Sequence, residues 1–415
     1  MRVSNTFMPI LSVIIPTRNR FHYVKSAIIS ILEFSDYRIE LVIQDNSDSN
    51  QLMIWVNENI NDSRLIYNYS NTPLSFIDNF SEGVNLSTGE YICIIGDDDG
   101  INPEIIDAAE WLKKENIDCL STSITANFVW GDAEVPTTLF TNVTGGVLTI
   151  SKLSGNILAA DPKVELEAFV KGGAINYLNF KLPKLYHGIV RRDCLVQVKN
   201  ITGNFFGGLS PDIFAAISIA CIANMVYVTD YPLTISGVCG VSASIVEGLL
   251  KKNSKKLEDA PHLRNRGDYE WSKLVPKVYC VETIWADSAI AALKSMGQDN
   301  LINKINLPKL AANCINSNSG ISKQVIISLK ESCVLRKKNY NISYILLSWN
   351  LFVFKLKYII IFYRRLRNRI SIIIGMKNFQ RIDGLQNINE ATLSLINYLS
   401  KKKYIFRVMN KKNIG

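Results

Sequence analysis

Histidine is scarce in this chain. There are three among 415 residues, at positions 22, 187 and 262, and no two are spaced as a metal pair. His22 opens a helical stretch and reads as solvated; His187 reads as structural rather than catalytic. The eight cysteines include no C-x-x-C pair, which argues against structural zinc and a disulfide framework and predicts a reducing compartment. Cys93 and Cys221 sit in apolar segments and read as buried thiols. The opening Met1-Arg2-Val3-Ser4-Asn5-Thr6-Phe7 lacks the apolar core of a signal peptide, which predicts a cytoplasmic chain. Nor does any apolar run reach the ~20 residues that cross a bilayer. The strongest, Ile342 to Phe354, spans thirteen residues and gives way to Lys355 and Lys357. There is no internal repeat.

What is present alternates. Leu11 to Ile15, Ile39 to Gln44, Leu65 to Tyr69 and Tyr91 to Ile95 read as buried strands, rich in β-formers. Between them Val24, Ala27, Ile28, Ile31 and Leu32 fall at helical spacing, and Phe76 to Leu86 reads as a helix stopped by Gly89. Asn102-Pro103-Glu104 opens another, with a capping side chain, proline at the first position and an early acid. Strands alternating with helices predict a doubly wound, mostly parallel sheet. Three strands end in polar loops (16–19, 45–48 and 96–100), which such a sheet gathers along one edge, where ligands bind. The last of these carries Asp97-Asp98-Asp99. Taken alone, three acids more often form a turn before a helix. At a strand end of an open α/β sheet they need a positive partner, and Mg²⁺ or Mn²⁺ with phosphate oxygens is the usual one.

Val13-Ile14-Ile15-Pro16-Thr17-Arg18-Asn19, Asp45-Asn46-Ser47-Asp48, Gly89-Glu90-Tyr91-Ile92 and the Asp97–Asp99 run with Pro103 beyond resemble, in order and spacing, family 2 glycosyltransferases of the GT-A fold. The resemblance is strong over residues 9–120 and thinner over 185–240. It implies a GT-A (Rossmann-like) α/β fold with flanking helices. Pro16, Thr17, Arg18 and Asn19 would line a nucleotide pocket together with Asp97 and Asp98. Asp45 would accept the imide N–H of uracil, making a UDP-sugar the expected donor. Asp98 would be the main ligand of Mg²⁺ or Mn²⁺, with Asp99 as a second. The commoner family pattern has an Asp where Gly96 stands. A metal-binding histidine often follows the catalytic acid, whereas Ser236 to Ser242 holds none.

Asp212, in Gly207-Gly208-Leu209-Ser210-Pro211-Asp212, is the candidate catalytic base for the acceptor hydroxyl. Ser210 can cap a helix beginning at Pro211, and Asp212 could equally complement the dipole of that helix; the resemblance favours the base. A single base implies inversion. The Gln-x-x-Arg-Trp signature of polymerising members is absent, so one sugar per encounter is expected. Arg191 and Arg192 fit a phosphate contact or a basic strand end equally well. A sugar nucleotidyltransferase would want a glycine-rich, lysine-bearing loop after the first strand, and residues 16–19 contain no glycine. The intact acids argue against an inactive sugar- or membrane-binding adaptor.

Charge is uneven. Residues 330–415 hold 18 Lys or Arg against 3 Asp or Glu, in a chain of net charge +9. Leu347, Leu351, Phe354, Tyr358 and Ile361 form an apolar helical band beside a polar line of Asn350, Lys357 and Arg364. Arg364-Arg365-Leu366-Arg367-Asn368-Arg369 follows. A basic, aromatic, amphipathic segment suits an anionic membrane surface, and no nucleic-acid motif accompanies the charge. The expected organisation is a nucleotide-sugar half (1–122), an acceptor half (123–245) and a helical, basic C-terminal region (246–415). It predicts transfer to a glycan or polyprenyl-linked acceptor of a surface polysaccharide, at the inner face of the cell membrane. Thr137 to Gly146 reads as a loop or short hairpin.

Overall fold

The computed structural model describes residues 9–133, 145–240, 261–373 and 379–406. Val241, Ser242 and nearly all of the 137–146 loop lie outside them. Four parallel strands lead: β1 (Leu11–Thr17), β2 (Ile39–Asp45), β3 (Leu65–Tyr69) and β4 (Tyr91–Ile94), ordered β3-β2-β1-β4. Helices α1 (Phe21–Leu32), α2 (Gln51–Asn59) and α3 (Phe76–Leu86) connect them. After a two-residue strand, β5 (Gly100–Ile101), comes α4 (Ile105–Lys114). It starts two residues later than the capping pattern suggests, and Asn102 Oδ1 accepts the Glu104 N–H at 3.1 Å instead.

The sheet continues through β10 (Ile189–Arg191), β6 (Cys119–Thr122), β11 (Val226–Thr229) and β9 (Ile157–Ala160), giving eight strands. Strand β10 runs against both β4 and β6. Side-chain alternation along the central strands feeds two cores, one on each face. Ile14, Val42, Ile92 and Ile94 point to one; Val13, Ile15, Leu41, Ile43 and Cys93 point to the other. Helices α5 (Pro162–Lys171), α6 (Arg192–Thr202) and α7 (Pro211–Ile222) cover the first face. Nine of the twelve residues of α7 are buried, as expected of a helix apolar on every side.

The C-terminal region divides around this sheet. Helices α8 (Val281–Ser295), α9 (Asp299–Lys304), α10 (Leu307–Ser317), α11 (Ser322–Leu335) and the start of α12 (Tyr340–Ile373) extend the first core. Strand β13 (Phe379–Asp383) instead pairs with β8 (Val147–Ser151) in a second, five-stranded sheet, β13-β8-β7-β12-β5, with β7 at Ala126–Val129 and β12 at Thr234–Val238. Helix α13 (Ile388–Lys402) then packs on the other core through Ile388, Ala391, Leu395 and Leu399. Residues 246–415 are therefore not one appendage: the last described stretch pairs with β8 of the acceptor half and packs on α1 of the nucleotide-sugar half. The thirteen-residue apolar run also proves to be part of something longer. Helix α12 is 34 residues, because lysine is a good helix former and neither Lys355 nor Lys357 interrupts the backbone ladder.

Candidate active site

The polar strand ends do meet, in a cleft of 810 Å³ lined among others by Pro16, Thr17, Arg18, Arg20, Asn46, Asp97, Asp98, Asp99, Asp212 and His262. Strands β1, β2 and β4 deliver its floor at their carboxyl ends, the place the parallel pattern assigns to a ligand.

The three acids have separate surroundings. Asp97 accepts the Thr17 hydroxyl at 2.7 Å, and the Arg20 guanidinium lies 2.6 Å from its other oxygen. Arg20 also reaches Asp98 at 3.1 Å. Burial pushes the Asp97 carboxyl up to about 7, with Asp98 and Asp99 adding to the rise against Arg20 and Thr17. Burial opposes the charge on Arg20 too, but Asp97 and Asp98 outweigh it and hold the guanidinium above its ordinary value. Asp99 is different. It accepts the N–H groups of Gly96 (2.6 Å) and Gly237 (2.7 Å) and the Tyr186 hydroxyl (2.9 Å), with His187 Nε2 at 3.2 Å. Burial alone would raise its carboxyl; His187 and the two backbone donors more than offset that and lower it. Asp99, expected as a second metal ligand, is thus held on both oxygens by the protein's own donors and clamps the loop. Asp97 and Asp98, the other two carboxylates of the loop, share the Arg20 guanidinium. Among the described residues no group of three or more His, Cys, Asp or Glu converges as a metal cluster.

Two glycines explain the shifted acidic run. A Cβ on Gly96 would lie 2.6 Å from the Tyr186 hydroxyl and 2.9 Å from Asp99 Oδ2, so a side chain there would have to displace both groups. A Cβ on Gly237 would meet the Asp98 carbonyl at 1.8 Å, which forces β12 to present bare backbone there. Trp130 fixes the same carbonyl, donating its indole N–H at 3.0 Å.

The loop residues divide. Pro16, Thr17 and Arg18 line the cleft. Asn19, with φ of 56°, instead ties its loop to the next one, donating to Asp48 at 2.6 Å and accepting the Asp48 N–H at 2.8 Å. Arg18 spans the same gap, from Asn46 (2.9 Å) to Asp48 (2.5 Å). Asp45 is fully buried, with its oxygens taken by the Tyr67 hydroxyl and the Ser47 N–H, both at 2.8 Å. The neighbouring Asn46 lines the cleft, while Asp45, expected to meet the base, lies beneath the loop and bonds to it.

Asp212 lies in the first turn of α7 and lines the same cleft as the acids. Ser210 makes no cap bond; its hydroxyl donates to one oxygen of Asp212, and Tyr177 donates to the other at 3.0 Å. These two donors fix the carboxylate's direction. Burial raises the Tyr177 hydroxyl well above its ordinary value, with Asp212 adding to the rise, so it stays a donor. The wall beyond Asp212 is largely aromatic: Tyr177, Trp285, Phe76 and Tyr279. His262 stands among them, its ring 5.7 Å from Phe76 and 6.5 Å from Tyr279. Its Nδ1 is buried without a hydrogen-bond partner, and burial lowers its basicity against the pull of Asp212.

Arg20, Tyr177 and His262 were not legible as site residues. Arg20 alone left a trace, a cation one position past the first loop that matches the acidic run. His187 holds the place expected of it: buried, backbone at φ 61°, between Asp99 and Thr234 Oγ1 at 3.0 Å. Arg191 and Arg192 serve structure, reaching Asn116 at 2.8 Å and the Gly89 carbonyl at 2.7 Å.

Among known proteins, the family described as Glycosyl transferase family 2 matches residues 12–156. Among solved structures, S. aureus TarS is similar at 17% identity, over 82% of this chain and 54% of that one, with a TM-score of 0.39. Its fragment 1–349 in complex with UDP is similar at 17% identity over 78% and 87%, TM-score 0.39. The complex of that fragment with UDP-GlcNAc shows 15% identity over 80% and 93%, TM-score 0.43. The chain spans about half the length of TarS. No curated protein matches it. With the strand order, the acidic loop and the cleft already in place, residues 12–156 of this chain are similar to glycosyl transferase family 2.

Proposed function

We propose that this chain transfers one sugar at a time, with inversion, from a nucleoside-diphosphate sugar to a hydroxyl of a glycan or polyprenyl-linked acceptor of a surface polysaccharide. One observation carries the reading: the acidic strand end and Asp212 line a single cleft of 810 Å³. That volume suits a nucleotide sugar. A UDP-sugar is the donor named here, at the cytoplasmic face of the membrane.

Asp97 and Asp98 fit a hard divalent cation. They are adjacent carboxylates on the loop that ends β4, and both line the cleft. Two protein oxygens suffice for Mg²⁺ or Mn²⁺ when diphosphate and water supply the rest. The metal, when bound, would take up charge developing on the diphosphate leaving group. The remaining work belongs to the chain. Arg20 and Thr17 hold Asp97 in position. Asp99, gripped by Gly96, Gly237, Tyr186 and His187, keeps the loop from moving as charge shifts. Asp212 accepts the acceptor hydroxyl's proton, aimed by Tyr177 and Ser210.

Titration calorimetry of the full chain with UDP, in Mn²⁺ and in EDTA, tests the donor half. The expected result is binding that requires Mn²⁺ in wild type and is lost in Asp98→Asn. Equal UDP binding in both buffers would overturn the metal assignment, and no binding of UDP, GDP or CMP in either would overturn the donor site.

A further inference from the structure

Helix α12 contains a 25-residue stretch, Tyr340–Arg364, long and apolar enough to cross a membrane by length and composition. The fold forbids it. Ahead of the helix, α10 and α11 belong to the core on one face of the eight-stranded sheet, and Leu347 of α12 itself is buried there. Behind it, β13 pairs with β8, and α13 fills the core on the other face of the same sheet. Only residues 374–378 lie between the end of α12 and β13, a link of at most ~20 Å. A helix crossing the bilayer would leave its two flanks on opposite sides, and both flanks belong to one body.

The first part of the apolar band expected at a membrane surface turns inward instead. Leu347 is buried, and Leu351 and Phe354 pack on the core. Ile361 is exposed, and the side chain of Tyr358 lies outside the described residues. The opposite side is also apolar. Ile345 (66% exposed), Trp349 (61%), Phe352 (50%), Leu356 (45%), Ile360 (61%) and Tyr363 (65%) follow one another at steps of three or four, one continuous stripe along the helix. Isolated exposed apolar residues mean little, but a stripe this long marks an interaction surface. Residues 340–373 include Lys355, Lys357, Arg364, Arg365, Arg367 and Arg369 and no acidic residue. A second copy of the helix laid on this stripe would meet the same positive charge, with no acid to pair it. An anionic lipid surface offers the complementary charge and an apolar phase for the stripe.

We propose that α12 lies in the plane of an anionic membrane, its Ile345–Trp349–Phe352–Leu356–Ile360–Tyr363 stripe in the acyl boundary, and holds the catalytic cleft beside lipid-linked acceptors without spanning the bilayer. This deepens the membrane location proposed above and fails separately from it, because donor binding is read in solution and the helix on vesicles.

The test uses the full chain with vesicles of phosphatidylcholine alone or with phosphatidylglycerol. Co-sedimentation should be at least tenfold stronger on the anionic vesicles, weaken in high salt, and be released by alkaline carbonate. Trp349→Ser combined with Phe352→Ser should lower the bound fraction at least fivefold while UDP binding is kept. Resistance to carbonate would mean a spanning helix and overturn the proposal. Failure to bind anionic vesicles would overturn it as well, as would a dimer in light scattering that the double variant dissociates, since a second copy would then cover the stripe.

Discussion

The two walls of the cleft are built in opposite ways. On the donor side charged and amide groups hold one another: Asp99 has four donors around it, Asp97 is flanked by Thr17 and Arg20, and Asn46 is bonded to Arg18, Ser70, Thr72 and Leu74, while Arg18 Nε, Arg20 Nε and Asn79 Oδ1 are buried without a hydrogen-bond partner. The acceptor side is made of rings, and its one imidazole, His262, leaves Nδ1 without a partner. A charged diphosphate demands fixed charge and preorganised donors, which lose little on reorganisation. A sugar hydroxyl on a bulky acceptor demands room, flat apolar surface and an unsatisfied polar atom that the ligand completes. The contrast implies that changes on the donor side act through stability and metal-dependent affinity, and changes on the acceptor side through turnover.

Three substitutions can break that contrast. Asp212→Asn should have the largest effect, lowering turnover by ~10²–10⁴-fold, the range for loss of a general base. Donor affinity should stay unchanged, because the residue touches only the acceptor's proton. Steady-state kinetics beside UDP calorimetry reads both, and normal turnover would leave Asp212 as a helix-dipole acid. Asp99→Asn comes next. It turns one carboxylate oxygen into an N–H₂, set against the Gly237 N–H or against the Gly96 N–H and the Tyr186 hydroxyl, so on one side donors face donors. Urea unfolding should show a loss of about 3 kcal/mol, with weaker UDP binding following from the displaced loop. If stability is unchanged and Mn²⁺ affinity alone collapses, Asp99 is a ligand after all. The smallest effect is His262→Phe, which keeps the ring against Phe76 and Tyr279 and removes its nitrogens. Acceptor KM should rise about fivefold, the value of one hydrogen bond, at constant kcat and constant donor affinity. An unchanged KM would make His262 a packing ring.

The donor side was legible because its parts are local. Each strand is a short apolar run ending in polar residues, and parallel pairing brings those ends together without further information. Even there, reading types at positions overshot. Asn19, Asp45 and Asp99 have the right chemistry near the cleft, but their side chains are spent on loop-to-loop and loop-to-backbone bonds that no spacing announces. The acceptor wall draws on residues 177, 212, 262, 279 and 285, which share no period and meet only through long-range packing. Strand β13 failed for the same reason. Phe379-Gln380-Arg381-Ile382-Asp383 is half polar, and only pairing with β8 makes it a strand.

That return of the chain has a consequence for biosynthesis. Gly100, one residue beyond the acidic run, sits so close to Ile388 and Thr392 that a Cβ there would lie 2.8 Å from one and 3.0 Å from the other. The floor of the cleft is therefore backed by side chains made nearly three hundred residues later. At ~5–20 residues per second a ribosome would hold the four central strands for roughly 15–60 s before Ile388 emerges. Throughout that interval the acidic loop lacks its backing and an apolar surface waits uncovered. Nucleotide binding should then appear only once the helix at 388–402 has been released.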